Sequence, residues 1–279
     1  FVVPLWVLAG GLTVRLFTFQ HDCGHQSYLP WRWANNALGH VLSLITVTPY
    51  SVWRRVHGIH HAGSCHLGKR GRGDIELLTV REYDALSEGE QRRYRVMRNP
   101  FFLFLVGGPA FFLIINRSPW GQGLPAREAW KNTLALNVAM VSTFAVLSYF
   151  TSVWAVLVVF LPVAYIASII GVWLFYVQHQ FDRTRWDTAE TWEFPVAAVY
   201  GSSYYDLPAV LRWFTGNIGY HTVHHLLSRI PNYYLPACLR KVPELANVNR
   251  LTFWQSLRCV RYKLWDEESR QLVGFPKKK

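Results

Sequence analysis

The chain contains eleven histidines, and eight of them fall in three windows of five residues. The windows read HDCGH at 21–25, HGIHH at 57–61 and HTVHH at 221–225. On a helix, residues at i, i+3 and i+4 share one face, so each window presents two or three imidazoles in one direction. The eight residues are His21, His25, His57, His60, His61, His221, His224 and His225.

Imidazoles grouped in this way are typical of a metal site, because neutral imidazole binds iron, zinc and copper. Eight of them exceed what one four-coordinate zinc can use, so two metal ions are the simplest interpretation. HDCGH has the i, i+4 histidines of an HExxH zinc protease but lacks the glutamate that acts there as general base. Outside the windows, His40 and His66 are more simply interpreted as structural histidines.

His179 stands apart from the windows, in the segment FYVQHQF that follows an apolar run. Two interpretations remain open for it. It is either a residue of the membrane interface or a further ligand, since its position after a span matches that of His21.

Composition favours a membrane protein with a sizeable aqueous part. Hydrophobic residues make up 51% of the 279 residues, and the mean hydropathy is +0.09. Of 29 lysines and arginines, 10 lie in 53–98 and 14 in 178–279, the latter region closing with three lysines at 277–279. Membrane proteins concentrate these residues on the cytoplasmic side, so we place both regions there. Nucleic-acid binding is disfavoured, because the charges flank apolar spans and form no recognisable binding module.

Three segments are long and apolar enough to cross a bilayer, which takes about 20 helical residues. They are 1–19, 133–149 and 153–177. The chain begins inside an apolar run without an initiator methionine, and we expect a trimmed N-terminus with a preceding span missing. The four cysteines form no CxxC pair and are expected to be reduced thiols.

Topology follows from the requirement that all three windows serve one site and lie on one side of the membrane. The weakly apolar segment 36–52 then lies in the interface or re-enters. The segment 101–115, broken by Gly-Gly-Pro, should not cross either, because two strong spans already separate the second and third windows. We therefore expect one domain over 1–279, an all-α integral membrane protein. Its cytoplasmic helical cap, formed by 53–98 and 178–279, should hold the metal centre.

The chain resembles the membrane fatty-acid desaturase family over nearly its whole length. Five sequence segments carry this resemblance: FQHDCGHQS, TPYSVWRRVHGIHHA, RGRGDIELLTVREY, VQHQF and NIGYHTVHHLLSRIPNYYL. They are most similar to its acyl-lipid Δ12 or ω6 type. The resemblance implies a di-iron centre facing the cytoplasm, in a membrane such as the bacterial inner membrane. The eight histidines of the windows would ligate the irons, and His179 matches an additional histidine of the family. One departure is Ser64-Cys65-His66, which raises the question whether His66 assists the site.

The family reaction removes two vicinal hydrogens from a fatty acyl chain and consumes O2 and two electrons. Side-chain bases cannot remove an unactivated methylene hydrogen, so the metal must supply the chemistry while the protein orients the chain. Candidates for an apolar tunnel wall are Trp53, Tyr176, Trp213, Phe214 and Tyr220, which could equally be belt or core residues.

Carboxylates and amides close to the windows could orient the imidazoles. The candidates are Asp22, Asp74, Glu76, Asp182 and Asn217, the last expected on the helical face of His221. For Asp74, Glu76 and Asp182 a simpler role is surface pairing. Their arginine partners would be Arg70, Arg72, Arg183 and Arg185.

No flavin, haem or iron–sulfur motif is present, so the electrons must come from another protein. An acidic carrier such as ferredoxin or a cytochrome b5 could dock on basic residues, which could equally attract anionic lipid. These residues are Arg54, Arg55, Lys69, Arg70 and Arg72.

The same histidine pattern also serves membrane hydroxylases, carotenoid ketolases and alkane oxygenases, which stay open as alternatives. A non-enzymatic membrane scaffold is a remote one.

Overall fold

The computed structural model describes residues 2–71, 73–118 and 125–276. Three predicted features extend beyond the described residues: Phe1 at the start of the first span, Arg72 in the basic surface, and the lysines at 277–279. The four cysteines are unpaired, as expected.

Three helices of the described residues are long and apolar enough to cross a membrane: α1 (Val2–Gly24), α7 (Ala126–Phe150) and α8 (Val153–His179). At 1.5 Å per residue they are about 35–40 Å long, more than the ~30 Å hydrocarbon core of a bilayer. In the most apolar window of each, 22% of the residues or fewer are buried inside the protein. Such outward-facing apolar surface requires a lipid environment. The three segments predicted to span fall on these helices.

The segment 36–52 is divided between two helices, α2 (Arg32–Thr46) and α3 (Tyr50–Gly63). The break falls at Val47, which has a left-handed backbone with φ of 59°, and at Pro49. Buried Gln20 of α1 holds the two helices in place. Its amide donates to the Ser43 hydroxyl at 2.9 Å and to the Thr48 carbonyl at 3.2 Å. This tie fixes the start of α3 relative to α1.

The segment 101–115 forms two helical pieces that meet at its Gly-Gly-Pro sequence. A π-helix (Phe102–Gly107) leads into α6 (Gly108–Leu113), and the N–H of Gly108 donates to the Leu103 carbonyl five residues earlier. Pro109 has no N–H to donate, which interrupts the regular helical bonding. The preceding helix α5 (Glu88–Met97) and residues 102–117 meet at 70°. Such a bend suits a broken span or a re-entrant loop, and the absence of a crossing here stays a prediction.

The remaining described elements are short and mostly helical. The α-helices are α4 (Val80–Asp84), α9 (Phe194–Tyr200), α10 (Ala209–Phe214), α11 (His221–Leu226), α12 (Leu235–Lys241), α13 (Leu245–Val248) and α14 (Phe253–Ser256). Single 3-10 turns are formed by Leu67–Lys69, Ile115–Arg117 and Cys259–Arg261.

Two small sheets join distant parts of the cap, which the expectation of a purely helical cap did not include. The strands are β1 (Leu78–Thr79), β2 (Tyr204–Asp206), β3 (Arg250–Thr252), β4 (Leu264–Asp266) and β5 (Gln271–Val273). β1 pairs parallel with β4, which pairs antiparallel with β5; β2 pairs parallel with β3. The first sheet therefore fastens the chain after the second histidine window to the C-terminal region.

The end of α8 is buried between α1 and the cap. Tyr176 and Val177 are at most 1% exposed, and the Tyr176 hydroxyl donates to the Tyr262 carbonyl at 2.9 Å. Val14 of α1 packs in the same apolar cluster. This packing sets the height at which the last residue of α8, His179, meets the cap.

Candidate metal centre

Four helices carry eight of the nine histidines considered as ligands, and His25 directly follows one of them. α1 ends directly before His25, α3 carries the second window, α8 ends at His179, and α11 begins at His221. The helical spacing predicted for the windows thus places each set of imidazoles on one side of its helix. All nine rings converge on one region between these helix ends.

The nine histidines form two groups in which ring nitrogens lie within 4.8 Å of one another, plus one linking residue. The five-histidine group consists of His21, His25, His57, His61 and His224, and the three-histidine group of His60, His179 and His225. The linking residue is His221, whose Nε2 lies 3.1 Å from Nε2 of His179. His179 therefore lies inside the cluster and not apart from it.

The hydrogen bonds around His60 and His179 direct two ring nitrogens toward each other. Nδ1 of His60 contacts the Asp74 carboxylate, and Nδ1 of His179 lies 3.2 Å from the Gly201 carbonyl. Both oxygens are acceptors, so each Nδ1 donates to its oxygen and each Nε2 points into the cluster. The two Nε2 atoms are 3.2 Å apart. Two imidazoles that are held from behind by protein oxygens and turn their other nitrogens to one point are arranged as metal ligands are.

The electrostatic environment favours the neutral form of six of the other imidazoles. Burial lowers the pKa of His57, His61 and His224 well below its usual range, and neighbouring imidazoles lower it further. The pKa values of His25, His221 and His225 are lowered for the same reasons, burial first. Neutral imidazole is the form that binds a metal ion.

Asp22 orients His21. Its Oδ1 lies 3.0 Å from Nδ1 of His21. Its Oδ2 accepts two hydrogen bonds from Asn232, at 2.6 Å from the backbone N–H and 2.8 Å from the side-chain amide. Asp22 is 1% exposed, so these bonds replace the water that a carboxylate requires. The prediction did not include Asn232, because it lies 210 residues from Asp22 and no local spacing connects the two.

The other proposed orienting groups have different outcomes. Asp74 contacts His60 and pairs with no described arginine, while Arg70 pairs with Glu82 at 2.6 Å and Arg185 with Asp187 at 2.7 Å. Glu76 and Asp182 are exposed. The orienting role considered for Asp74 fits its contact with His60, whereas its pairing with Arg72 lies outside the described residues.

Asn217 does not share a helical face with His221, because α11 begins only at His221 and Asn217 has a left-handed backbone with φ of 59°. Its amide donates to the Asn232 carbonyl at 3.2 Å. Asn217 thus supports Asn232, which in turn binds Asp22, the partner of His21.

His40 and His66 lie outside both groups. Nε2 of His40 is 3.3 Å from the Ser51 hydroxyl, and its ring packs on Tyr50. Nδ1 of His66 accepts the N–H of Gly68 at 3.0 Å and caps a 3-10 turn. Both have the structural roles expected of isolated histidines.

A cavity of about 730 Å³ borders the cluster and is lined by His21, His57 and His221. Its walls are mainly apolar and come from the span ends and segment 101–115, including Phe17, Leu103, Val106, Phe112 and Phe175. The volume lies within the range of about 300–1,000 Å³ that small-molecule sites occupy. Of the five predicted wall residues, Trp53 lines this cavity, whereas Tyr176, Trp213, Phe214 and Tyr220 do not.

Comparison with known proteins agrees with the geometry. A model of the family described as "Fatty acid desaturase" matches residues 1–257. A "Fatty acid desaturase" of Bacillus subtilis (strain 168) is 42% identical over 98% of this chain and 77% of that protein. More distant relatives include an "sn-1 oleoyl-lipid 12-desaturase" of Anabaena variabilis, 25% identical over 88% of this chain and 69% of the relative. Another is an "sn-1 acyl-lipid omega-3 desaturase (ferredoxin)" of Nostoc sp. (strain 36), which is 26% identical over 94% of this chain and 72% of the relative.

Three observations fit such an enzyme: the nine clustered histidines, the three helices fit for a membrane and the apolar cavity beside the cluster. Together with the match over most of the sequence, they establish that the chain belongs to the fatty acid desaturase family, membrane enzymes that act on fatty acyl lipids.

Proposed function

We propose that the protein uses O2 and two externally supplied electrons to introduce a cis double bond into a fatty acyl chain carried on a lipid. The observation that carries this proposal is the apolar cavity that passes His21, His57 and His221 at the histidine cluster. A chain lying in that cavity would have its methylene groups beside the metal ligands.

The nine histidines would hold two iron ions, one at each histidine group, with His221 joining the set from beside His179. Iron bound there would supply the activation of O2 that an unactivated C–H bond requires. Asp22, Asp74 and the Gly201 carbonyl fix the Nδ1 protons of their imidazoles and so direct each Nε2 into the cluster. The surrounding packing shields His60 and His224 from water, since both are at most 2% exposed.

The remaining work of the protein is to position one carbon pair. Trp53 stacks on His57 with ring centroids 4.5 Å apart, and Phe175 lies 5.2 Å from His60. Both aromatic rings also line the cavity, so they would confine the acyl chain at the point nearest the cluster. We favour the Δ12 or ω6 position, on the basis of the family words in the sequence and the 12-desaturases among the relatives.

We place the cluster on the cytoplasmic side of a bacterial inner membrane, with 36–52 and 101–115 not crossing.

An acidic electron carrier would dock on the basic surface. It would be a ferredoxin, which appears in the name of one relative, or a cytochrome b5. Arg70 is paired with Glu82 and contributes little free charge there, whereas Arg54 and Lys69 are not in ion pairs with described carboxylates. Salt should therefore slow turnover with a soluble donor at constant membrane binding.

The fatty-acid profile of a host that expresses the chain tests the proposal, with His224→Ala as matched control. The expected product from oleoyl lipid is a diene with a new cis bond, formed by the parent chain and not by the variant. A hydroxylated or keto product would assign the chain to a related oxygenase activity. An unchanged profile, in a host with a competent electron donor, would contradict the proposal.

A further inference from the structure

The carbonyl that holds His179 belongs to the segment 199–203, which leads from α9 to β2. Gly201 presents this carbonyl to Nδ1 of His179 at 3.2 Å, and the Cys65 thiol donates to it at 3.3 Å. Ser203 fastens the segment to α8, because its N–H and its hydroxyl each donate to a carbonyl of that helix at 3.0 Å. The orientation of His179 therefore depends on how the backbone of 199–203 is held.

Asn249 binds this segment from the C-terminal region. It is 4% exposed, and its amide nitrogen lies 3.1 Å from the Val199 carbonyl, 3.2 Å from the Tyr200 carbonyl and 3.1 Å from the Ser202 carbonyl. These three groups are all acceptors, so the side chain must face them with its NH2 and not with its oxygen. The amide thus holds carbonyls on both sides of Gly201, whose own carbonyl is left for the histidine.

The same segment also reaches the third histidine window. The Ser202 carbonyl accepts a second hydrogen bond, from the Thr222 hydroxyl at 3.1 Å. Thr222 directly follows His221 in α11 and is 1% exposed. Nε2 of His221 lies 3.1 Å from Nε2 of His179. Asn249 is therefore connected through 199–203 to two histidines that meet in the cluster.

Strand pairing brings Asn249 to this position. It directly precedes β3, which pairs parallel with β2, the strand that follows 199–203. Its backbone carbonyl accepts the N–H of Tyr204, the first residue of β2, at 3.0 Å. The backbone of Asn249 thus serves the sheet, whereas its side-chain amide serves the segment that carries Gly201. A substitution of the side chain leaves the backbone bonds of the sheet in place, and so separates the two roles.

We propose that Asn249 is a positioning residue for His179. By holding the carbonyls on either side of Gly201, its amide keeps the Gly201 carbonyl on Nδ1 of the imidazole and keeps Nε2 directed toward His60 and His221. Groups that orient a ligand in this way typically contribute about 10- to 100-fold to metal affinity. The inference rests on the proposed function for one point, which is that His179 is an iron ligand.

Two variants of Asn249 test the proposal. Asn249→Leu removes both N–H donors at similar volume, and Asn249→Ala takes its place if leucine prevents folding. The matched control is Asn247→Leu, because Asn247 is an exposed asparagine of the neighbouring helix α13. The thermal unfolding midpoint of each purified full chain reports the purely structural cost of the change.

The first measurement is 15N NMR of the full chain in lipid bilayers, labelled at histidine and without added metal. The signals of His179 are assigned by their loss in His179→Gln. The parent chain should show Nδ1 of His179 protonated, because the Gly201 carbonyl can only accept a hydrogen bond. Asn249→Leu should shift this signal, as the proton redistributes between the two ring nitrogens, and Asn247→Leu should not. A loss of packing elsewhere would not move the proton of one imidazole.

The second measurement is iron affinity, by competition with a chelator. In Asn249→Leu, the iron at the three-histidine group that contains His179 should bind about 10- to 100-fold more weakly. The iron at the five-histidine group should keep its affinity, and both should keep it in Asn247→Leu.

The proposal fails if both Asn249 variants match the parent chain in the His179 signal and in iron affinity. It also fails if the unfolding midpoint falls while the His179 signal is unchanged, because Asn249 would then act on stability alone. A parent chain that binds no iron would refute the proposed function, and the His179 signal would still decide whether Asn249 positions the imidazole.

Discussion

The two histidine groups are held in different ways. In the three-histidine group, His60 and His179 each direct Nδ1 to a protein oxygen outside the cluster. In the five-histidine group, the hydrogen bonds of the described residues give such a partner to His21 alone. The three-histidine group thus has few ligands whose orientation is fixed by hydrogen bonds, and the five-histidine group has more ligands with fewer such bonds. Metal binding at the three-histidine group should therefore depend more on each ligand and on each orienting group.

The largest expected effect comes from removing one ligand from each group. His60→Ala takes away one of three grouped ligands, and His224→Ala one of five. Both should lower activity by more than about 100-fold, because even the loss of an outer hydrogen-bonding partner typically costs 10- to 100-fold. Iron content by mass spectrometry of the purified protein should fall further in His60→Ala. Membrane insertion should be intact in both.

Full activity in either variant would refute the ligand assignment. Equal iron loss in the two variants would remove the proposed difference between the groups while keeping both sets as ligands.

The orienting carboxylates provide a finer comparison. Asp74→Asn should weaken iron binding by about 10- to 100-fold, since the amide loses the charge that fixes the Nδ1 proton of His60. Asp22→Asn should cost less, because four other imidazoles remain in the group of His21. Competition with a chelator measures both affinities. A larger effect at Asp22 would reverse the proposed order.

Asn232→Ala should have a smaller effect than either carboxylate change. It removes the side-chain bond to Asp22 and leaves the backbone N–H bond at 2.6 Å in place. We expect a loss of iron affinity below about tenfold, because this bond acts on His21 only through Asp22 and a typical hydrogen bond contributes about 1 kcal/mol. Asn232→Asp should be clearly worse, because it places a second carboxylate beside Asp22. Identical behaviour of the two variants would show that Asn232 acts by packing alone.

The smallest effect is expected at His40, which is a histidine control outside both groups. His40→Ala removes a 3.3 Å contact with Ser51 and should leave iron content and activity unchanged within about twofold. Loss of iron in this variant would show that the ligand set is drawn wrongly.

Much of this site could be predicted from the sequence because its strongest signals are local. The spacing within HDCGH, HGIHH and HTVHH specifies a helical face, and each window lies on or beside a helix. Apolar length similarly predicts the three long helices. The Gly-Gly-Pro sequence in 101–115 marks the change from the π-helix to α6, since a proline in a helix lacks a bonding N–H, whereas the 70° bend lies earlier, between Met97 and Phe102.

The other features of the fold and the site depend on contacts between segments that are distant in sequence. Such contacts produce no regular residue spacing from which they could be predicted. Asp22 meets Asn232 only after the C-terminal region folds over α1. The pairing of β1 with β4 joins Leu78 to Leu264, and strands of two or three residues carry too little pattern to predict. Asn249 resembles any other asparagine of the C-terminal region until folding places its amide against the carbonyls of 199–203.

Metal analysis of the purified chain is the decisive measurement for the two histidine groups. If each group holds one iron, the parent chain should contain about two irons, falling toward one in His60→Ala. A single zinc per chain, or no bound metal in an active preparation, would contradict it.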